Sequence, residues 1–302
     1  MEYDKLGGIV PPIVTPVDQN ERVDEDGFRR LLRHCVNVGI HAIFVAGTNG
    51  ETMALTSRER ERAIRIALDE VGGEVPVICG AMDCSTRKVI ENVKSIEEMG
   101  GEVAVITPPF YMKAPSDGEI LAHFENVAAS TNLKIMLYNI PAFTGSTISN
   151  DVLFRAAEID NVIGYKDSSG NMAAFIKALQ HFKGTGFKMF MGITDLAPLA
   201  LLMGADGFVP TLAPVYYTLY LKLYNAAKAG DFQRVMELYD LVIRSNQVAG
   251  FAKNGIAANK YVVSTLGFFE GRPLAPAEEP TQEQKEKMRA FAAEIVRESN
   301  EI

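Results

Sequence analysis

A surplus of basic charge is the first thing this chain lacks. Its 302 residues carry 30 Lys and Arg against 38 Asp and Glu, a formal net charge of -8, and a pI near 5.2. Phosphate backbones and anionic membrane surfaces are held by clustered Lys and Arg, so neither is an expected partner. Cysteine is scarce: Cys35, Cys79 and Cys84 are an odd number in a long chain, which suits reduced cytoplasmic thiols better than a disulfide framework. No apolar run approaches the roughly 20 residues that span a bilayer. The start, "MEYDKLGG", shows no basic region followed by an apolar core, so no secretory signal is expected. The four histidines, His34, His41, His123 and His181, show neither HxH nor HExxH spacing, and a metal site is not expected.

What is present is ordinary for a folded chain: 47% hydrophobic and 23% charged residues, enough to bury a substantial core. Short apolar runs recur at 8–14, 42–47, 75–81, 103–107, 134–139, 161–166, 187–192 and 206–210. Segments of helical period separate them. In "DEDGFRRLLRHCVNVG", Phe28, Leu31, Leu32 and Cys35 share one face, Asp24 or Asp26 caps the start and Gly39 ends it. "SRERERAIRIALDEVGG" repeats the pattern behind Thr56 or Ser57.

Because the strand runs are continuously apolar rather than alternating, each predicts a strand covered on both faces, as in parallel sheets with helical crossovers. Eight such units suit a (β/α)₈ TIM barrel of about 250 residues. The competitor, an open doubly wound sheet, lacks a GxGxxG fingerprint after its first strand. Residues 1–228 are therefore expected to form the barrel. Residues 229–302, read as further helices, form a C-terminal helical extension. The Pro-rich link 270–280 is expected to be a surface connection.

In such a barrel the active site lies where the strands end at their C-termini. Those ends read "GTNGE", "TPPFY", "YNIPAFTG", "YKDSSG", "GITD" and "PTLAP". Lys166 stands at one of them. Desolvation there disfavours the ammonium form and makes a neutral nucleophile accessible, and such an amine can form an imine with a ketone. The plainer reading is a lysine paired with Asp167 or reaching to solvent, with Ser168 or Ser169 capping the next helix. Tyr138 ends the preceding run, within reach of the amine if the two strands are neighbours about 4.8 Å apart, and supplies the acid/base that imine formation requires. "GTNGE", with Asn49 and Gly50, offers consecutive backbone N–H groups that suit a carboxylate; as a bare tight turn it places Glu51 at the start of a helix.

Taken together and in order, "GTNGE", "TPPFY", "YNIPAFTG" and "GYKDSSGN" resemble the dihydrodipicolinate synthase and N-acetylneuraminate lyase family, over nearly the whole chain. The resemblance implies a homotetramer and pyruvate chemistry through a lysine imine, with no metal or nucleotide cofactor. It gives Lys166 as the Schiff-base lysine, Tyr138 as the acid/base, Thr48 as a hydroxyl relaying protons with it, and Tyr111 as the tyrosine that reaches a neighbouring subunit's site. It further implies that position 49 binds the pyruvate carboxylate, that Gly192, Asp195 and Val209 form the pocket wall, and that Phe143, Asp195 and Thr211 bear on the second substrate. Synthases of the family usually carry "GTTGE" and an Arg where this chain has Phe143, and an apolar ring cannot make the bidentate contact of a guanidinium with a carboxylate. The expected activity is a class I aldolase or lyase, splitting a 2-keto-3-deoxy sugar acid or similar 2-oxo acid into pyruvate and an aldehyde. A 4-hydroxy-tetrahydrodipicolinate synthase, a sugar-acid dehydratase using the same imine, and a non-catalytic ligand-binding relative are the alternatives.

Overall fold

A strand buried on both faces must be followed by an element that returns the chain over the sheet, and the computed structural model, which describes residues 5–114 and 116–302, has that architecture throughout its first two thirds. The strands are β1 (Gly8–Ile9), β2 (Ile43–Val45), β3 (Val77–Gly80), β4 (Val103–Ile106), β5 (Lys134–Asn139), β6 (Val162–Asp167), β7 (Lys188–Met191) and β8 (Gly207–Phe208). All pair in parallel, in the order β1-β8-β7-β6-β5-β4-β3-β2. The chain leaving β1 closes the ring: the Phe44 amide donates to the Pro11 carbonyl at 3.0 Å and the Ile13 amide to the Phe44 carbonyl at 2.9 Å. β1 is shorter than the 8–14 run predicts because Pro11 and Pro12 have no N–H to give a ladder. Pro210 truncates β8 for the same reason.

The helices are α1 (Glu25–Asn37), α2 (Ser57–Val71), α3 (Thr86–Glu98), α4 (Asp117–Ala128), α5 (Pro141–Thr144), α6 (Asn150–Ala156), α7 (Met172–His181), α8 (Ala197–Leu202), α9 (Ala213–Lys228), α10 (Phe232–Asn246), α11 (Gly255–Ser264) and α12 (Gln282–Glu301). Asp24 caps α1 and Thr56 caps α2, each accepting a backbone N–H, and Gly39 leaves α1 at φ +85°. The cap of α7 differs from expectation. Asn171 accepts from the Ala174 amide, whereas Ser169 donates to Asp167 and Ser168 faces the barrel mouth through its bond with Tyr138.

Two apolar layers share the strands. Val10, Phe44, Val105, Met136, Tyr138 and Phe190 pack inside the barrel, while Ile43, Ala104, Leu137 and Met191 pack outward against the helices. Register decides where the reactive groups point: Lys166 is paired with Tyr138 on one side and Phe190 on the other, both interior residues, so Lys166 also faces inward.

Beyond α9, Leu238, Val242, Met288 and Ile295 belong to the same apolar cluster as the outer layer of the barrel, so the C-terminal helices share its core. The 270–280 link is more than a surface connection. Leu274 is buried, its amide donates to Glu51 at 2.7 Å, and the Ala275 amide donates to Glu21 at 2.9 Å. Two carboxylates distant in sequence draw this segment onto the barrel mouth. Among the described residues, no helix is long and apolar enough to cross a membrane.

Candidate active site

The amine of Lys166 lies deep at the end of β6, in a residue 3% exposed, with Nζ 3.9 Å from the centroid of the Tyr138 ring and 4.9 Å from that of Phe44. Alternation along the strand turns Asp167 to the opposite face. There it accepts from Asn139 Nδ2 at 2.7 Å, Ser169 Oγ at 2.9 Å and the Tyr165 hydroxyl at 3.1 Å, so it does not pair with Lys166. Aromatic faces compensate a cation only in part. Burial therefore pulls Lys166 down to about 7, and a large fraction of the amine is neutral and nucleophilic near neutral pH. Room for it depends on Gly192: a Cβ there would stand 2.0 Å from Ser168 Oγ and 3.1 Å from Lys166 Cε.

Tyr138, the β5 partner of Lys166, hydrogen-bonds Ser168 and Thr48 through its hydroxyl. Burial raises it to about 12, and those two bonds oppose the rise. The phenol thus enters the reaction holding its proton. The sequence offered Ser168 only as a candidate helix cap; the period of two along β6 places it on the same face as Lys166 and marks it as a site residue.

Thr48 sits in the turn after β2, whose backbone donors are mostly engaged. Gly50 and Thr52 donate to the Gly47 carbonyl, and Glu51 donates to that of Thr48. The Gly50 carbonyl in turn accepts from Thr15 Oγ1 at 2.8 Å. Among the described residues, the Thr48 and Asn49 N–H groups are among those of the turn with no backbone acceptor. Asn49 Oδ1 accepts from Asn259 Nδ2 of α11 at 3.5 Å. Glu51 does not begin a helix: it has φ +55°, and α2 starts at Ser57. Its buried carboxylate accepts from Lys260 Nζ at 2.5 Å and from the Leu274 amide at 2.7 Å, which fastens the turn to α11 and to the 270–280 segment. Sequence reading missed this pair, because its partners are 209 residues apart.

The remaining expected residues spread over the mouth. Val209 lines the barrel interior and Thr211 is half-buried beyond it. Asp195, in a 3-10 turn at Thr194–Leu196, accepts from Asn246 of α10 at 3.1 Å. Phe143, on α5, is 60% exposed. Tyr111 is 91% exposed at φ +67°, so within one chain it stands apart from Lys166. A cavity of about 360 Å³ opens beside Thr48, between Phe110, Ile140, Phe143 and the Leu274–Ala277 segment. A larger hollow of about 810 Å³ touches Val77 and Glu102, at the opposite ends of the strands, and contains none of these groups. No group of three or more His, Cys, Asp or Glu among the described residues is arranged to hold a metal ion.

Comparison with known proteins agrees over the full length. The model of the dihydrodipicolinate synthetase family matches residues 5–295. The chain is similar to 4-hydroxy-tetrahydrodipicolinate synthase of Methanopyrus kandleri, at 30% identity over 287 residues covering 94% of this chain and 95% of the relative. It is likewise similar to an uncharacterized DapA-like lyase of Halobacterium salinarum, at 35% identity over 278 residues, covering 90% and 89%. Among solved structures, the pyruvate complex of YagE, a prophage protein of E. coli K12, superimposes with a TM-score of 0.91 at 26% identity, over 96% of this chain and 98% of that one. Dihydrodipicolinate synthase of Aquifex aeolicus gives 0.89 at 28% identity, over 98% of each. A buried amine at the end of the sixth strand of a (β/α)₈ barrel and a match over almost every residue lead to one assignment: the chain belongs to the dihydrodipicolinate synthetase family of pyruvate-dependent, class I carbon–carbon lyases.

Proposed function

We propose that Lys166 forms an imine with C2 of a 4-hydroxy-2-oxo acid, a class that includes the 2-keto-3-deoxy sugar acids, and that the chain splits this acid reversibly into pyruvate and an aldehyde. The observation that carries the reading is an inward-facing amine with burial but no carboxylate acting on it, in contact with a protonated tyrosine. The neutral amine adds to C2, Tyr138 protonates the resulting oxygen, and water leaves. The C3–C4 bond then breaks, its electron pair entering the iminium to give the enamine of pyruvate. The proton of the C4 hydroxyl returns to the Tyr138–Thr48 pair as the aldehyde forms. Protonation at C3 and hydrolysis release pyruvate and restore the amine. The Thr48 and Asn49 amides hold the substrate's carboxylate, and no metal or nucleotide takes part.

Names of relatives favour a second reading, condensation of pyruvate with aspartate semialdehyde as in a 4-hydroxy-tetrahydrodipicolinate synthase. Phe143 argues against it, since among the described residues the cavity beside it has no lysine, arginine or histidine in its lining to pair with a second carboxylate. Exposed Tyr111, Met112 and Phe143 suit burial against another copy, and we propose a homotetramer, checked by sedimentation equilibrium. A panel of 4-hydroxy-2-oxo acids assayed for pyruvate release tests the reaction. Release of pyruvate and an aldehyde supports lyase activity, whereas a product lighter by one water with an intact carbon chain identifies a dehydratase. Turnover only with pyruvate and aspartate semialdehyde would establish the synthase instead.

A further inference from the structure

The cavity beside Thr48 has a composition that bears on what the aldehyde half of the substrate is. Its wall is formed mainly by Met82, Phe110, Ile140, Phe143, Ile256 and Leu274. Among the described residues, the one charged lining residue, Glu51, is closed off, with one oxygen on Lys260 and the other on the Leu274 amide. Thr144 donates to backbone carbonyls, and Asn254 caps α11. A polyhydroxylated chain entering this space would leave most of its hydroxyls unpaired, each at a cost of about 1–3 kcal/mol. Phosphate or carboxylate would meet no cation.

Two lining threonines have hydroxyls without a partner. Thr52 and Thr107 are 4% and 2% exposed, and Oγ1 of each is buried with no hydrogen-bond partner among the described residues. Thr48, which also lines the cavity, hydrogen-bonds the Tyr138 hydroxyl, so the space adjoins the proton-transfer pair.

Resting on Lys166 as the imine-forming amine, we propose that this cavity receives the aldehyde portion of the substrate, and that its preferred aldehyde has an apolar, ring-sized body carrying one neutral hydrogen-bonding substituent that meets Thr52 and Thr107. The 4-hydroxy-2-oxo acid cleaved is then one whose C4 bears an aryl or compact alkyl group rather than a sugar chain.

The test runs the reaction in the bond-forming direction, with pyruvate and benzaldehyde, hydroxybenzaldehydes, glyceraldehyde or glyceraldehyde 3-phosphate, products being identified by mass. Borohydride trapping of pyruvate on the same enzyme serves as a separate readout. The expected result is a kcat/KM at least about tenfold higher for the aryl aldehydes than for either glyceraldehyde, with the best hydroxybenzaldehyde isomer above benzaldehyde. Thr107→Val, which keeps volume and removes the hydroxyl, lowers the ratio of hydroxylated to plain aldehyde several-fold. A trapped adduct together with equal or better use of glyceraldehyde overturns the aldehyde assignment and leaves the imine intact. Absence of an adduct overturns both.

Discussion

Replacing Lys260 by Met perturbs the site without touching a reacting atom. Lys260 is fully buried, and its Nζ lies 2.5 Å from Glu51 Oε2, whose own side chain is 5% exposed. Burial lowers the lysine's proton affinity, and the Glu51 carboxylate facing it restores part of it. Lys260→Met leaves a buried carboxylate with a single amide donor, from Leu274. Loss of one member of a buried pair costs about 3–5 kcal/mol, on the order of 5–8 °C in Tm for a chain of this size. Glu51→Gln combined with Lys260→Met removes both charges and keeps an oxygen for the Leu274 amide, so the double variant recovers most of the loss. Calorimetry and urea melts of the four proteins close the cycle. Activity follows the same order, because Glu51 holds the turn that aims Thr48 at Tyr138. A Lys260→Met cost below about 1 kcal/mol, or a double variant no better than the single, would refute the idea that this pair fastens the turn.

Other consequences can be checked separately. The rate of imine formation with pyruvate rises with pH through an apparent pKa near 7, since burial lowers Lys166 to about that value; a rise centred near the ordinary lysine value would show a solvated amine. Folding linkage has the same origin: between pH 7 and the unfolded lysine value the unfolded chain binds the extra proton, so Lys166 destabilises least at high pH, and Lys166→Met raises Tm more at pH 6 than at pH 9. Tyr138→Phe keeps the packing and lowers kcat by about 10²–10⁴-fold, read in pyruvate release. Gly192→Ala forces a methyl against Ser168 Oγ and the Asp167 carbonyl, 2.0 and 2.8 Å away, and slows adduct formation at least about tenfold in stopped-flow traces.

Local pattern made the strands and their order of use legible, and the position of Lys166 at a strand end followed from apolar runs alone. Proline chemistry, visible in "VPPIV" and "FVP", shortened β1 and β8 where hydropathy continued. Tyr138 beside Lys166 required only that consecutive strands pair, whereas Ser168 required the period of two to be carried past the strand into the loop. Glu51 and the 270–280 segment were illegible for a different reason. Their partners lie 209 and 223 residues away, and no local preference encodes a contact between a turn after β2 and residues on and beyond α11. The same long-range closure builds the cavity wall, so the chemistry of the aldehyde pocket emerges only once the C-terminal helices are folded onto the barrel.

Incubation with pyruvate and borohydride, followed by intact mass and peptide mapping, tests the central claim most directly. One reduced pyruvyl group per chain on Lys166, absent from Lys166→Ala, is the result expected. An unmodified chain, or label on any other lysine, would contradict the assignment of Lys166 as the reacting amine.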